Sequence, residues 1–518
     1  MCRRLVSIIL PFLAALPVAA KGGRPNIVLF LVDDLGLMDT SVPFLDSLYS
    51  GNLRFSTPNI ASLAERGVVM TSAYACPLST PTRAALLSGM NAAHSHITSF
   101  TTTLKDIPSD ATAGSGGNYQ VNDNEGDIFR RGDWNWNGIS PLDGCQATQC
   151  ITPFPAVLKD NGYFTVHAGK SHWAPSGTPG SSAYNMGFVA NVGGGAAGYP
   201  RSYRAEDNYG NTADKWNLAA VPDMVQYYQT DVHLTDALVA EALKLIDYPV
   251  SQEIPFYLEF SNYAVHSPYQ PHEPYYSTYL EMGMNRKQAV YASMVTGVDA
   301  ALGTLVKFLD DRGIIDNTVI IFYSDNGGYS ATGANGIKAH THNSPLREGK
   351  GSCYEGGIRV PLIVSWPSKI KPGIRVSAPV VPEDFYPSVL EFAGIRNYKT
   401  MQSLDGQSFV KYLRGSGFED RFIVTHFPHQ WRVDEQPDID YLSAIRYGNW
   451  KLVYRMRDAS LELYNLKTDI GESIDVATEH PDAVRFLSVE LSERLRKWRA
   501  TMPVVLSTGQ PVLFPDEL

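Results

Sequence analysis

Four side chains with oxygen donors follow two apolar runs of the sequence. Asp33 and Asp34 close the first run, and Asp325 and Asn326 close the second. Donors of this kind suit a hard divalent cation, and no set of Cys or His ligands is needed to explain them. Three carboxylates held together would repel one another unless a cation neutralised them. We therefore expect a metal site here, although Asp-Asn-Gly-Gly is also a common turn.

The segment 79–89 combines a hydroxyl and a guanidinium, four residues apart. Ser79 is followed two residues later by Pro81 and four residues later by Arg83, and small residues lead to Gly89. An arginine offers a fixed fork of donors to an anion. The competing interpretation is a serine that caps a helix starting near Thr82.

The chain is acidic, so an anionic ligand would need local positive charge. The 518 residues include 43 Lys and Arg against 53 Asp and Glu, for a formal net charge of −10. Such a balance argues against nucleic acid as the partner. Lys170, Lys350 and Arg83 can supply the local charge, because lysines act as compact charges beside an anion.

An alternation of strands and helices must position these residues. Apolar runs predict buried strands, and helical patterns lie between them. The strands are expected at Asn26–Val32, Thr318–Tyr323 and Pro361–Trp366, and the helices at Ile60–Arg66, Thr82–Ser88, Asp231–Ile246 and Ala289–Asp311. This order predicts an α/β fold with a large, mostly parallel sheet covered by helices on both faces. Ligands of such sheets bind beyond the carboxyl ends of the strands, where both acidic pairs lie.

Two loops, 101–144 and 175–211, are long and rich in turn residues and aromatics. Loops of this length inside a domain are usually functional or disordered, and the aromatic residues favour contact with a substrate.

Beyond about residue 428 the pattern of the sequence changes. Segments 443–447, 450–454 and 461–465 predict an antiparallel meander, and 483–500 predicts an amphipathic helix. The candidates for the buried stripe of that helix are Leu487, Val489, Leu491 and Leu495. We therefore expect a large N-terminal domain over 21–428 and a smaller α+β subdomain over 429–518.

Taken in order, these motifs resemble the sulfatase family, within the alkaline phosphatase superfamily. Ser79 begins the family signature, in which Cys or Ser is followed by any residue, Pro, any residue and Arg; Cys76 lacks the Pro and Arg. The other matching elements are the acidic pair 33–34, Gly169-Lys170-Ser171-His172, His266 before Pro268, the turn 325–328, and the blocks 349–351 and 354–361. The chain is identified as a member of this family, with the serine type of signature.

The resemblance implies an alkaline-phosphatase-like catalytic domain and a role for each candidate residue. A maturation enzyme would oxidise Ser79 to formylglycine, whose hydrate Arg83 holds in place. His172 would hydrogen-bond a hydroxyl of this nucleophile, and His266 would protonate the departing sugar oxygen. Lys170 and Lys350 would bind the sulfate oxygens. The metal at Asp33, Asp34, Asp325 and Asn326 would be calcium, with magnesium less expected.

The hydrated aldehyde explains why a serine would not suffice. A serine hydroxyl would be left as a stable sulfate ester, whereas a hydrate attacks with one hydroxyl and expels sulfate with the other. The sequence departs from the family in two places. Ser171 and Trp173 replace the usual Trp and Leu around His172, and this replacement is expected to reshape the pocket. Glu348 stands where small residues are frequent.

Residues 1–20 have the pattern of a cleaved signal peptide. Arg3 and Arg4 precede a short apolar stretch, and small residues follow at 18–20. No later segment has 18 uninterrupted apolar residues, so we expect no membrane span and a periplasmic or extracellular protein. By resemblance, a radical-SAM maturase of the serine type would modify the protein before export. Four mature cysteines are too few for a disulfide scaffold, although Cys145 and Cys150 are close enough to pair.

The expected substrate is a sulfated carbohydrate of a host or an alga, with a terminal galactose or N-acetylhexosamine unit as the guess. Two alternatives stay open from the sequence. One is a phosphatase or phosphonate-ester hydrolase using unmodified Ser79, which should bring a second metal site. The other is a glycan-binding relic, which would tolerate loss of Lys170, His172 or Lys350.

Overall fold

The computed structural model describes residues 23–45, 47–101, 112–113, 119–120, 128–130, 135–211, 219–329, 343–415, 419–430 and 439–518. The predicted signal peptide at 1–20 lies outside them. The strands are β1 (Asn26–Val32), β2 (Val68–Met70), β3 (Thr112–Ala113), β4 (Tyr119–Gln120), β5 (Phe129–Arg130), β6 (Ile139–Ser140), β7 (Gln149–Cys150), β8 (Phe164–Gly169), β9 (Ala190–Val192), β10 (Phe256–Ser261), β11 (Thr318–Ser324), β12 (Leu362–Ser365), β13 (Ile374–Val376), β14 (Ile423–Phe427), β15 (Leu442–Tyr447), β16 (Trp450–Arg455), β17 (Ser460–Asn465) and β18 (Val504–Val505). The helices are α1 (Pro58–Arg66), α2 (Ser79–Ser88), α3 (Ala92–Ser95), α4 (Phe154–Asp160), α5 (Leu234–Ser251), α6 (Tyr275–Glu281), α7 (Arg286–Asp311), α8 (Glu355–Ile358), α9 (Phe385–Phe392) and α10 (Pro481–Trp498).

Eight strands form one large sheet in the order β13-β2-β12-β11-β1-β10-β8-β9. The neighbours β11, β1, β10, β8 and β9 all run parallel, and β12 pairs antiparallel with both β11 and β2. The predicted α/β fold with a mostly parallel sheet is confirmed. The carboxyl ends of β11, β1, β10 and β8 therefore meet along one edge.

The central strand β1 shows why both faces of the sheet are covered. All seven of its residues are buried. Val28, Phe30 and Val32 pack into the core that includes residues of α1, α5 and α7, and the alternate residues pack into the core with residues of α2, α4 and α9. Because neighbouring side chains point to opposite faces, an unbroken apolar run is what a strand between two helical layers requires.

The C-terminal part of the chain forms a four-stranded antiparallel sheet in the order β14-β15-β16-β17, with α10 packed on it. The predicted meander and helix are both present. Leu487, Leu491 and Leu495 are buried, but Val489 is 39% exposed, so its place in the buried stripe was wrong. Val489 lies two residues from Leu487, about 200° around the helix, and so falls on the opposite face. The limit between the units at about 428 stays a prediction, and β14 at Ile423–Phe427 already belongs to this sheet.

A buried group of charges joins the two sheets. Glu355, at the start of α8, accepts from Lys451 of β16 at 3.0 Å and pairs with Arg359 at 3.1 Å. Lys451 also pairs with Glu472 at 2.7 Å, and a Glu472 oxygen accepts the backbone N–H of Glu355 at 2.6 Å. These groups are buried, so each charge depends on its partners across the junction.

Within the described residues, one helix is long and apolar enough to cross a membrane by length and composition alone. It is α7, Arg286–Asp311, and 67% of its most apolar window is buried in the fold, as in the core helix of a soluble protein.

Both members of the cysteine pair considered from the sequence, Cys145 and Cys150, are free thiols in the structure.

Candidate active site

The acidic residues predicted as metal ligands meet at the carboxyl edge of the large sheet. One oxygen from each of Asp33, Asp34 and Asp325 lies within 4.8 Å of the others. Asn326 donates from Nδ2 to Asp34 Oδ1 at 2.8 Å, so its amide joins the same cluster. These side chains are buried, and the atoms that they can offer to a metal ion are all oxygens. A hard divalent cation fits this donor set.

Burial and neighbouring charges shift the pKa values of the three carboxyl groups in different directions. Burial raises the pKa of Asp33 to about 8, and the neighbouring charge of Asp325 adds to this. Burial also opposes ionisation of Asp34 and Asp325, but Lys350 beside Asp34 and Arg83 beside Asp325 hold both pKa values below their ordinary range. A cation bound among the three would stabilise every carboxylate in its charged form. The residues present therefore fit a metal ion.

Ser79 is the first residue of α2, directly above this cluster. Its hydroxyl donates to Asp33 Oδ1 at 3.3 Å and to Asn326 Oδ1 at 3.1 Å, and it accepts from Lys170 Nζ at 3.1 Å. The N-cap position of α2 is Leu78, and no side chain caps that helix. The alternative of a helix-capping serine therefore fails, because the Ser79 side chain points into the charged cluster.

Arg83 lies one turn further along α2 and is fully buried. Its Nε and one terminal nitrogen contact Asp325 Oδ2 at 2.9 Å and 2.8 Å. Its other terminal nitrogen donates to the Lys170 carbonyl at 2.9 Å and to the Ser261 hydroxyl. The guanidinium thus ties α2 to the ends of β11, β8 and β10, and this fixes the position of Ser79.

Lys170 and Lys350 complete the positive side of the site. Lys170 Nζ lies 2.5 Å from Asp33 Oδ2, and Lys350 Nζ lies 2.6 Å from Asp34 Oδ1. With Arg83 they provide three positive charges against three carboxylates. A divalent cation would then leave an excess of positive charge, which a buried anion requires. This meets the demand for a cationic pocket in an acidic protein.

His172 is held by a neighbour that sequence reasoning missed. His172 Nδ1 lies 3.2 Å from the Thr80 hydroxyl, and that hydroxyl accepts the backbone N–H of Thr101 at 3.2 Å. Burial, together with the charges of Lys170 and Arg83, lowers the pKa of His172 well below its usual range. The imidazole is therefore neutral, and its Nδ1 shares a hydrogen bond with the Thr80 hydroxyl. The sequence carries no signal for this pair, because Thr80 occupies the variable position of the signature.

His266 follows β10 and faces the other side of the cluster. Its Nε2 lies 3.8 Å from Asp34 Oδ2, and its Nδ1 lies 2.9 Å from the Ser267 carbonyl. Tyr203 fixes the backbone, since its hydroxyl donates to the His266 carbonyl at 2.8 Å. Burial lowers the pKa of His266 to about 4, with a further contribution from Lys350. An anion bound at Lys350 would offset the positive charge of that lysine. The pKa of His266 would then rise, which favours the protonated ring.

Two site residues, Asp34 and His172, adopt left-handed backbone angles, with φ of 62° and 53°. The neighbouring Glu348 does the same at 59°. Residues other than glycine rarely hold this conformation, and such positions concentrate at functional sites.

The fold and the site together define a hydrolase that acts on an anionic ester. A family model described as Sulfatase matches residues 25–395, and a second, described as N-sulphoglucosamine sulphohydrolase, C-terminal, matches 349–501. The chain belongs to the sulfatase family and is a sulfuric ester hydrolase.

Similar proteins agree with this assignment over nearly the whole chain. A sulfatase of Formosa agariphila is 30% identical over 92% of this chain and 88% of its own length. An N-acetylgalactosamine-6-O-sulfatase of Bacteroides thetaiotaomicron is 26% identical over 91% of this chain and 93% of its own. The crystal structure of Ps i-CgsB in complex with k-i-k-neocarrahexaose aligns with a TM-score of 0.66 and 26% identity, and covers 92% of this chain and 94% of that one.

Replacing Thr80 with valine should lower kcat/KM for an aryl sulfate about two- to tenfold, the usual worth of one hydrogen bond. Valine keeps the shape of threonine but cannot form the hydrogen bond with His172 Nδ1. Steady-state hydrolysis by matured enzyme measures the effect. Thr80→Ser keeps the hydroxyl and should retain the wild-type rate. Equal rates for the two variants would remove Thr80 from the positioning of His172.

Proposed function

We propose that this enzyme removes a sulfate ester from a carbohydrate, using formylglycine made from Ser79 and a bound calcium ion. The observation that carries the proposal is the position of the Ser79 hydroxyl. It contacts Asp33 and Asn326 on the carboxylate side and Lys170 on the cationic side. A nucleophile at this boundary lies between a cation site and the lysine that would hold the ester.

Asp33, Asp34, Asp325 and Asn326 would hold the calcium ion. When bound, such an ion polarises sulfate oxygens and makes a nearby hydroxyl more acidic. Oxygen donors from carboxylates and an amide are the ligands that calcium prefers, and magnesium is the lesser alternative. Asp33 has most to gain, because burial and Asp325 raise its pKa to about 8 without a cation.

The other side chains of the site would bind the sulfate, position the nucleophile and protonate the leaving group. Lys170 and Lys350 would bind sulfate oxygens, while Arg83 keeps the nucleophile in register through its contacts with Asp325. His172, which Thr80 holds through a hydrogen bond to Nδ1, would hydrogen-bond the nucleophile. His266 lies across the cluster and would deliver a proton to the departing sugar oxygen, because that alkoxide is a poor leaving group.

The substrate is proposed to be a sulfated terminal galactose or N-acetylhexosamine unit of a host or algal glycan. Two relatives support a carbohydrate: one is named an N-acetylgalactosamine-6-O-sulfatase, and the Ps i-CgsB structure holds a neocarrahexaose. The aromatic loops of the sequence point the same way. The protein would be modified by a serine-type radical-SAM maturase and then exported to the periplasm or beyond.

The rival use of an unmodified Ser79 by a phosphatase predicts a second metal site. Across the described ranges, Asp33, Asp34 and Asp325 form the one group of three His, Cys, Asp or Glu residues placed to hold an ion. The relic hypothesis also finds no support, because Lys170, His172 and Lys350 all lie at the cluster.

The mass of the tryptic peptide 67–83 from the native host tests the proposal. Ser79 should be lighter than serine by two hydrogen atoms, and activity should scale with the modified fraction. Fragmentation must place the loss at Ser79, because Cys76 lies in the same peptide. A Ser79→Ala protein serves as the control without the aldehyde. Full sulfatase activity from protein whose peptide shows only serine would refute the mechanism.

A further inference from the structure

A strap of five residues, Gly195–Tyr199, crosses both histidines of the site. The Gly195 carbonyl accepts the backbone N–H of His172 at 3.3 Å. A Cβ at Gly198 would lie 2.5 Å from Cε1 of His172, so only glycine lets the chain pass this ring. The Tyr199 ring then stacks on His266, with centroids 5.8 Å apart and planes 10° apart. The strap therefore fixes one tyrosine beside the predicted general acid.

Burial differs sharply across this stacked pair. The His266 side chain is 20% exposed, whereas Tyr199 is 50% exposed. Exposed aromatic residues occur elsewhere on the surface, so exposure alone decides nothing. Tyr199 differs because one side of its ring covers a histidine of the site while much of the remainder is open to solvent.

We propose that Tyr199 is a specificity-determining residue that binds the sugar ring on the leaving-group side of the sulfate ester. The inference rests on the proposed carbohydrate sulfatase function and names the residue that recognises the sugar. A leaving oxygen must come within hydrogen-bond reach of His266 Nε2, about 2.6–3.2 Å, to receive a proton. The sugar attached to that oxygen then lies next to the ring that stacks on His266.

An aromatic ring suits a sugar better than an aliphatic side chain would at this place. The face of the ring is negative, and the C–H groups of a pyranose carry a slight positive charge. The contact selects for a flat C–H face on the sugar and makes no demand on the sulfate. Lys170 and Lys350 would bind the sulfate group, and Tyr199 would bind the sugar ring that carries it.

The test compares Tyr199→Ala and Tyr199→Trp with the control Tyr248→Ala. Tyr248 is 51% exposed and packs against Phe164, at the first residue of β8 and so at the opposite edge of the sheet. The probes are monosulfated galactose and N-acetylhexosamine isomers, of which the best substrate of the matured wild type is used. Aldehyde content is measured for every protein.

Tyr199→Ala should raise KM about three- to tenfold with a smaller change in kcat, as expected for loss of one aromatic contact. Tyr199→Trp should restore KM, and Tyr248→Ala should match the wild type. Inhibition by inorganic sulfate should stay unchanged in Tyr199→Ala, because that anion has no sugar.

Three results would overturn the inference. They are a KM for Tyr199→Ala equal to that of Tyr248→Ala, a loss confined to kcat, and weaker inhibition by sulfate. A wild type that cleaves an aryl sulfate but no sulfated sugar would instead defeat the proposed carbohydrate substrate, and the inference with it.

Discussion

Asp325→Asn is expected to weaken calcium binding more than about 100-fold, because loss of even an outer-shell partner typically costs 10–100-fold. Sulfatase activity should fall about 10³-fold or more, since a bound cation contributes several kcal/mol to such a reaction. The asparagine keeps the shape of the side chain and can still face Arg83. Calorimetric titration of chelator-treated protein with calcium measures the binding, independently of turnover.

The matched control is Asp299→Asn. Asp299 is a buried carboxylate outside the cluster, and it accepts the backbone N–H groups of Asn59 and Ile60 at the start of α1. This variant should bind calcium like the wild type even where its stability falls. Wild-type calcium affinity in Asp325→Asn would show that the cation, if any, binds elsewhere.

His266→Ala is expected to slow hydrolysis of a sulfated sugar about 10²–10⁴-fold, the usual worth of a positioned acid. A nitrophenolate leaves without a proton, so 4-nitrophenyl sulfate should lose far less. The structure supports this difference, because the polar partners of the His266 ring are Asp34 and Ser267, neither of which holds the Ser79 hydroxyl.

Arg83→Ala provides the comparison for that experiment. Arg83 supports the nucleophile through Asp325, so both substrates should suffer alike. Both variants are assayed at one pH, with the aldehyde content of each protein measured. Equal losses on sugar and aryl sulfate in His266→Ala would assign His266 to sulfate binding instead.

The layout of the fold was predictable because its signals are local. The short apolar run of β1, rich in β-branched residues, favours a strand covered on both faces, which places Asp33 and Asp34 at its carboxyl edge. Strand ends of a parallel sheet converge, so Asp325 could be expected at the same edge as Asp33 and Asp34. In contrast, the strand β8 that carries Lys170 to this edge was not predicted.

Contacts between segments distant in the sequence were not predictable in this way. The Thr80–His172 pair joins residues 92 positions apart through the side chain at a variable motif position. The strap that brings Tyr199 onto His266 depends on how a long loop folds back, and no periodicity encodes that path. Val489 is a different case, because its spacing from Leu487 already places it on the opposite face of α10, and its assignment to the buried stripe misread the helical periodicity.

The charged junction of Glu355, Lys451 and Glu472 limits which C-terminal parts of related proteins can replace this one. Lys451 lies on β16 and Glu472 in the turn after β17, while Glu355 belongs to the segment that follows Lys350. In the intact chain, replacing Lys451 with a neutral residue would leave Glu355 and Glu472 buried close together without their shared lysine, at a cost of about 3–5 kcal/mol. A C-terminal half borrowed from a relative is therefore expected to fit this catalytic unit only if it carries the lysine in register.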